Sequence, residues 1–486
     1  MEIDSVFLEI GESGRQQFKY GLVLCLLKVY APFHVLQYTF VGRPSTFYCS
    51  REGQTLTNKC FDNKVSSCTN ITFIETTMVS EWALVCDNNW LSKATMSALM
   101  TGFLVGALLL GNLADRIGRK ANLVLTLIGM LFFNLLSGCT SAYSVYLFSR
   151  FCVGFFVSGN ILSIVVLMSE IVGPSYRGIY GLAVMGSFPI GIMSLSYLAS
   201  HLPSWRILTV CVTLLGVPCL MCHWYLVESP RWFLSKNRQG EAEDVLHHIA
   251  RGNGLNHKMN INLKTSSVKD NSTLYNDSVK KLLSIRRLTG VTLILCYTWF
   301  VAGASYYGMT LAAGDIGTDI YTGTALSGAV EIPAVLLTYY AIECYGRRLA
   351  LASFMMLSGA SCLVIQVFKG SFLSSLATSL ALFGKMCIAA SFKVAYILSG
   401  EVFATSIRNS AMGLVSGLAR AGAILSPFIV MAGETVPGVQ FVIFGILGIS
   451  GGVLSLWLPE TKNKPLPETM ADMLTKTKTK MNTQHI

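Results

Sequence analysis

Charged residues are scarce in this chain. They make up 13% of its 486 residues, whereas 52% of the residues are hydrophobic. A soluble domain usually carries about 25% charged residues, so the composition excludes an ordinary soluble protein. The chain is predicted to be an all-α membrane protein, because apolar runs of about 20 residues can each cross a hydrocarbon core of about 30 Å. Twelve such runs lie at approximately residues 20–41, 94–113, 121–140, 143–168, 179–200, 205–227, 288–309, 319–342, 349–368, 373–399, 411–432 and 438–459.

Motifs that would indicate catalysis are also missing. The sequence has no nucleophile elbow and no phosphate-binding loop, and no two Cys/His pairs occur at metal-ligand spacing on one side of the membrane. We therefore expect a protein that is not an enzyme and that binds neither a cofactor nor a metal. Because no ATP-binding motif is present, any energy that the protein uses should come from a counter-ion gradient or an exchanged substrate rather than from ATP.

Acidic residues are fewer than basic ones, 26 against 37, which gives a formal net charge of +11. The basic residues crowd the segment 228–287 and the tail after Pro459. By the positive-inside rule they orient the chain, so membrane lipid rather than nucleic acid is the expected contact. The predicted order is a cytoplasmic N-terminus (1–19), an N-terminal six-helix half (20–227), a cytoplasmic central loop (228–287), a C-terminal six-helix half (288–459) and a cytoplasmic tail (460–486).

One large hydrophilic loop, residues 42–92, lies on the extracellular side under this topology. An even number of cysteines in an oxidising compartment predicts two disulfides, with the pairing open among three arrangements. The cysteines concerned are Cys49, Cys60, Cys68 and Cys86. The sequon Asn70-Ile71-Thr72 predicts glycosylation at Asn70.

The two predicted halves repeat each other in sequence. "GNLADRIGRK" (111–120) matches "AIECYGRRLA" (341–350), "SEIVGPSYRG" (169–178) matches "GEVFATSIRN" (400–409), and "ESPRWFLSKNR" (228–238) matches "PETKNKPLPET" (459–469). Repeated halves are typical of alternating-access transporters. Acids and arginines at helix ends can form ion pairs while one face is closed, and opening that face would break them. The residues predicted to form this gate are Asp115, Arg119, Glu170, Arg177, Glu343, Arg347, Glu401 and Arg408.

These motifs resemble the major facilitator superfamily. "RFCVGFFVSG" and "PETK" support the resemblance, and "EWALVCDNNWL" (81–91), "ASYYGM" (304–309) and "LPETMADM" are similar to its organic cation, anion and carnitine transporters. The resemblance covers essentially the whole chain. It implies the major facilitator fold, alternating access at the plasma membrane and a small organic ion as substrate, and it leaves the charge of that ion open.

Arg420 interrupts the eleventh run, where a charge costs roughly 2.5–3.5 kcal/mol to insert. Small residues such as Ser416 and Gly417 share its helical face, which favours a face turned toward a cavity rather than toward lipid. In the family that the chain resembles, cation transporters carry Asp at this position, whereas anion and carnitine transporters carry Arg. A guanidinium suits bidentate binding of a carboxylate, and a structural ion pair is the alternative role.

One stretch departs from the anion branch. "EIPAV" (331–335) places Val335 where anion transporters of the family carry Lys, and Glu331 is more similar to the cation or carnitine branches. Lys393 on the tenth run could restore the missing positive charge. The tenth run also carries Lys385, a position that is often Lys across the family.

The predicted function is a multispecific secondary transporter of organic anions. A carnitine-like zwitterion or an organic cation is the alternative substrate, and a transporter-like receptor that moves nothing is the alternative of another class. Aromatic side chains would hold flat organic ions, and charged or polar side chains would orient them. The candidate substrate-binding residues are Arg420, Lys393, Phe392, Ser416, Tyr306, Tyr307, Trp299, His34 and Lys385.

Overall fold

The structure is a computed structural model that describes residues 3–51, 54–202, 204–255, 286–312, 319–368, 374–403 and 408–462. Within these ranges, 11 helices are long and apolar enough to cross a membrane, and Val439–Ser455 is a shorter apolar helix. The twelve coincide with the twelve predicted runs, so the predicted fold class is confirmed. Helices suit this setting because they satisfy their own backbone hydrogen bonds in lipid. Predictions about residues 256–285 and 463–486 lie outside the described residues.

The helices are labelled here in chain order. The first eleven are α1 (Ile3–Ile10), α2 (Arg15–Val35), α3 (Tyr38–Val41), α4 (Met78–Glu81), α5 (Asn89–Ile117), α6 (Arg119–Cys139), α7 (Tyr143–Ile171), α8 (Arg177–His201), α9 (Trp205–Met221), α10 (Pro230–Ser235) and α11 (Gln239–Gly252). The others are α12 (Arg286–Leu311), α13 (Ile320–Ala329), α14 (Glu331–Tyr345), α15 (Arg347–Phe368), α16 (Ser374–Val402), α17 (Arg408–Thr435) and α18 (Val439–Ser455). Short 3-10 turns lie at Phe61–Asn63, Val65–Ser67, Cys86–Asn88, Pro174–Tyr176 and Cys222–Tyr225.

Two helices begin at side-chain caps that the sequence contains. The Ser229 hydroxyl accepts a hydrogen bond from the backbone N–H of Trp232 at 3.2 Å, directly before the proline that opens α10. The Asp319 carboxylate accepts one from the Thr322 N–H at 3.1 Å and starts α13. Such caps satisfy N–H groups that have no partner inside the helix.

The chain divides into two compact units, residues 1–268 and 269–486, and each is described by itself. In the first unit, α5 and α7 pack with their backbones almost in contact. A Cβ on Gly154 of α7 would lie 1.9 Å from the carbonyl oxygen of Leu99 on α5. Only glycine permits this approach, which is the small-residue packing common between helices in membranes.

The second unit has the same kind of contact between α12 and α17. A Cβ on Gly303 would lie 2.0 Å from the carbonyl oxygen of Ala419, and a Cβ on Gly422 would lie 2.2 Å from that of Phe300. The two helices are therefore fixed against each other on both sides of Arg420. Trp299 of α12 is buried in the core of this unit, and 1% of its surface is exposed.

The first loop folds into a small antiparallel sheet, which the sequence analysis did not predict. Its strands are β1 (Phe47–Arg51), β2 (Gln54–Thr57) and β3 (Asn70–Phe73), in the spatial order β2-β1-β3. In the register of the sheet, Cys49 lies opposite Leu56 on one side and Ile71 on the other. The structure joins the four predicted cysteines as Cys49–Cys68 and Cys60–Cys86.

A carboxylate anchors this loop to the helices of the first unit. Glu81 accepts hydrogen bonds from the Trp205 indole N–H at 3.0 Å and from Nε of Arg206 at 3.1 Å. Next to it, the Trp82 ring lies 5.6 Å from that of Trp205, and the Trp82 N–H donates to the Ser141 carbonyl at 2.8 Å. The Glu-Trp pair of "EWALVCDNNWL" therefore attaches the loop to the ends of α6 and α9.

Candidate functional site

Arg420 lies on α17 at the close contact with α12. Its Nη1 donates a hydrogen bond to the Tyr307 hydroxyl at 2.9 Å. Because Gly303 and Gly422 bring the two backbones together, the arginine and the tyrosine are held by rigid elements rather than by loops. A guanidinium positioned in this way keeps its planar set of donors aligned, as bidentate recognition of a carboxylate requires.

Aromatic rings from α12 and α16 form a contiguous group that includes the Tyr307 ring. The Tyr306 ring lies 5.1 Å from that of Tyr307 and 5.9 Å from that of Phe392. Trp299 contacts Phe392 at 5.5 Å and Tyr396 at 4.4 Å. Four of these rings were predicted site residues, and the structure brings them together. Tyr396 was missed, although it lies one helical turn after Phe392 on the same face.

A buried ion pair joins α14 to α16. Nζ of Lys385 lies 3.3 Å from Oε1 of Glu331, and their side chains are only 3% and 4% exposed. Tyr306 connects this pair to the aromatic group, because its hydroxyl donates to the same Glu331 oxygen at 2.6 Å. Thr310 accepts a further hydrogen bond from Lys385 at 2.5 Å. Glu331 and Thr310 were not among the predicted site residues, and only the quoted "EIPAV" stretch indicated the acid.

Two other predicted residues of this half make hydrogen bonds to their own helices. Nζ of Lys393 donates to the Ala389 carbonyl at 3.2 Å, and the Ser416 hydroxyl donates to the Gly413 carbonyl at 3.1 Å. Both side chains are partly exposed. Lys393 lies on α16, next to Phe392, and Ser416 lies on α17, four residues before Arg420.

His34 belongs to the other unit, on α2. Its side chain is fully buried, and its ring meets that of Tyr30 edge-on at 4.7 Å. Its backbone carbonyl accepts a hydrogen bond at 2.8 Å from Arg150, which also donates to Gln37 at 3.2 Å and to Asn134 at 3.4 Å. The structure therefore joins the backbone carbonyl of His34 to a buried polar network of the N-terminal half, which sequence reasoning did not predict.

Three of the four predicted gate residues of the first unit form a cluster at the ends of α5, α6 and α7. Arg119 lies 3.0 Å from Glu170 and 3.0 Å from Asp115. Arg177 pairs instead with Asp4 of α1 at 2.6 Å, and Arg231 contacts the same carboxylate. Partial burial alone would raise the pKa of Asp4, but Arg231 and Arg177 together lower it below its ordinary value.

The second unit repeats the central ion pair. Arg347 lies 3.2 Å from Glu401, and the Glu401 carboxylate also accepts a hydrogen bond from the Thr461 hydroxyl. The backbone carbonyl of Glu343 accepts a hydrogen bond from the Lys462 ammonium. The side chain of Arg408, the eighth predicted gate residue, lies outside the described residues.

Two carboxylates that were not predicted hold the gate helices in place. Glu228 accepts hydrogen bonds from the backbone N–H groups of Arg119 at 2.8 Å and of Lys120 at 3.0 Å. Glu460 does the same for Arg347 at 3.0 Å and for Arg348 at 3.1 Å. A negative charge at a helix N-terminus is stabilising, since the orphan N–H groups there carry partial positive charge.

The surroundings of Glu460 also affect its titration. Burial raises its pKa. The hydrogen bonds that it accepts from backbone N–H groups outweigh this effect and lower the pKa below the ordinary 4.5. The sequence signal for both caps was present, since "ESPRW" and "PETKN" are matched segments of the two halves. We refer to Glu228 with α6, and Glu460 with α15, as the two capped gates.

Two units with matched capped gates and a polar intramembrane group define the class of a major facilitator transporter. Comparison with known proteins agrees. The model of the sugar (and other) transporter family matches residues 47–473. An inward-open structure of the xylose transporter XylE from E. coli aligns with a TM-score of 0.67 at 16% identity, over 94% of this chain and 99% of that chain. This likeness supports the fold.

Curated relatives narrow the assignment. "Solute carrier family 22 member 15-like" of Xenopus laevis is 34% identical over 97% of this chain and 96% of its own length. "Organic cation transporter protein" of Drosophila melanogaster is 31% identical over 97% and 94%. "Organic anion transporter 3" of Oryctolagus cuniculus is 35% identical over 86% and 77%. The chain belongs to the sugar (and other) transporter family and, within it, to solute carrier family 22. It is a multi-pass membrane transporter and not an enzyme.

Proposed function

We propose that this protein is a multispecific secondary transporter of organic anions. The observation that carries the proposal is the Arg420–Tyr307 hydrogen bond of 2.9 Å within the aromatic group. Three of the site residues are positively charged, namely Arg420, Lys385 and Lys393. Glu331 offsets only one of these charges. A substrate carboxylate or sulfonate would make a charge-assisted bidentate contact with the half-buried Arg420.

The aromatic rings would supply the affinity for the organic part of the substrate. Trp299, Tyr306, Tyr307, Phe392 and Tyr396 offer flat apolar faces with polar edges. Such rings bind planar groups without demanding one shape, which suits a carrier of several substrates.

A carnitine-like zwitterion is the second candidate substrate. The observation that favours it is the buried carboxylate of Glu331, which accepts a hydrogen bond from the Tyr306 hydroxyl at 2.6 Å. A substrate ammonium would lie against the aromatic rings, one of which donates its hydroxyl to Glu331, while Lys385 keeps its own contact with that carboxylate. Carboxylate recognition by Arg420 is common to the two candidates.

The capped gates would control access to the site. In this proposal they lie on the cytoplasmic side, as do both termini, and the protein works in the plasma membrane by alternating access. The ion pairs Arg119–Glu170 and Arg347–Glu401 would form when that side closes and break when it opens. Substrate exchange or a counter-ion gradient would drive net movement. A receptor that transports nothing would have no need of two matched gates.

The test is an uptake panel of hippurate, tetraethylammonium and carnitine, measured in cells that express the wild type, Arg420→Lys or Arg420→Asp. We expect uptake of hippurate by the wild type, impaired uptake by Arg420→Lys because a point charge cannot reproduce the planar fork, and none by Arg420→Asp. Uptake of carnitine with the same dependence on Arg420 would favour the second candidate. Uptake of tetraethylammonium alone, unchanged in Arg420→Asp, would refute anion recognition.

A further inference from the structure

The ammonium group of Lys385 is enclosed by oxygen atoms from two other helices. Nζ lies 2.5 Å from the Thr310 hydroxyl, 3.2 Å from the Tyr306 carbonyl and 3.3 Å from the Glu331 carboxylate. It also lies 3.2 Å from the centre of the Tyr306 ring. A lysine ammonium has three protons, so these three oxygens account for all of its donors.

The oxygens around Lys385 are the kind that hard metal cations bind. A carboxylate, a backbone carbonyl and a hydroxyl converge on one point, and a ring face closes one side. The Glu331 side chain is 4% exposed, and a buried carboxylate needs a compensating cation. In this chain that cation is the ammonium group of Lys385, which α16 carries.

We propose that Glu331, Thr310 and the Tyr306 carbonyl form an alkali-cation site that the ammonium of Lys385 fills permanently. The wild type therefore needs no Na⁺ or K⁺ at this position. Removal of the lysine leaves the buried carboxylate without its partner and opens the site to an ion from solution. The proposal concerns this cation site only, so it does not depend on the charge of the transported substrate.

The test measures the melting temperature of the purified full-length protein in NaCl, KCl or N-methylglucamine chloride at equal ionic strength. For Lys385→Ala we expect a saturable rise of the melting temperature with Na⁺ or K⁺, relative to N-methylglucamine, because an ion that binds the folded state stabilises it. The double variant Lys385→Ala/Glu331→Gln should lack this rise. The matched control is Lys462→Ala in the same unit, whose ammonium donates to the backbone carbonyl of Glu343, and it should respond like the wild type.

Two results would overturn the proposal. One is a Lys385→Ala variant that responds to Na⁺ and K⁺ no more than to N-methylglucamine. The other is a wild type whose response to Na⁺ disappears in Glu331→Gln, since that would place a solution ion beside Glu331 despite the lysine. If Lys385→Ala does not fold, Lys385→Ser is compared for folded yield in the same salts. Equal failure in every salt also contradicts the proposal, because an open site would be rescued by its ion.

Discussion

The glycine before each capped gate provides a quantitative prediction. Gly118 has φ +109° and ψ 155°, and Gly346 has φ +85° and ψ 168°. This region of backbone space is essentially restricted to glycine, and a non-glycine residue held there costs about 1–3 kcal/mol. The substitutions Gly118→Ala and Gly346→Ala should therefore strain the turns that lead into α6 and α15.

A new Cβ would also displace the capping carboxylates. It would lie 2.4 Å from Oε2 of Glu228 at Gly118, and 2.7 Å from Oε2 of Glu460 at Gly346. Hydrogen bonds to a charged group contribute about 1.5–3 kcal/mol each, and their loss is not simply additive with the backbone strain. We expect each substitution to reduce the free energy of unfolding by about 2–5 kcal/mol.

The assay is thermal unfolding of the purified full-length protein, with Gly181→Ala as the matched control. Gly181 lies in α8, where a Cβ would meet nothing within 4 Å, and alanine favours a helix by about 0.5–1 kcal/mol. The control should melt at or slightly above the wild-type temperature. In the Glu228→Ala background, Gly118→Ala should cost less, since the displaced carboxylate is already gone. Equal melting temperatures for Gly118→Ala and Gly181→Ala would refute the reasoning.

Three further outcomes are expected. Removing both Arg119 and Arg347 by alanine substitution should leave surface expression near normal and slow transport turnover; full-rate uptake would contradict the gating role. The contribution of Glu460 to stability should be constant above its ordinary pKa of 4.5 and should disappear as the pH falls through its lower folded pKa. The melting temperature of Glu460→Gln should therefore fall less steeply than that of the wild type below pH 4.5. Peptide mapping by mass should find a glycan on Asn70, and free thiols in the first loop would be inconsistent with the disulfides Cys49–Cys68 and Cys60–Cys86.

Hydropathy predicted the helices of this chain because lipid imposes one rule on every span: its backbone must be hydrogen-bonded internally and its surface must be apolar. The matched motifs likewise predicted that Arg119 and Arg347 lie near acids, since each pair is repeated at the same place in the two halves. These signals are local in sequence. They require no knowledge of how distant helices pack.

The partners of the intramembrane charges could not be predicted in this way. Arg420 and Tyr307 are 113 positions apart, and their contact depends on the close packing of α12 and α17. Glu331 was visible in the sequence, but its pairing with Lys385 depends on the rotation of α14 against α16. The disulfide pairing stayed open for the same reason, because four cysteines in one loop allow three arrangements until the sheet fixes their positions.

The central claim is that Arg420 recognises the anionic group of the substrate. Its most direct test is the ratio of uptake efficiencies for hippurate and for its neutral primary amide, measured on the wild type and on Arg420→Ala. Charge-assisted hydrogen bonds of about 1.5–3 kcal/mol predict that the wild type prefers the carboxylate by about 10- to 150-fold. In Arg420→Ala that preference should collapse toward equal uptake of the two compounds. A preference that persists unchanged in Arg420→Ala, or a wild type that does not distinguish the acid from the amide, would contradict the account.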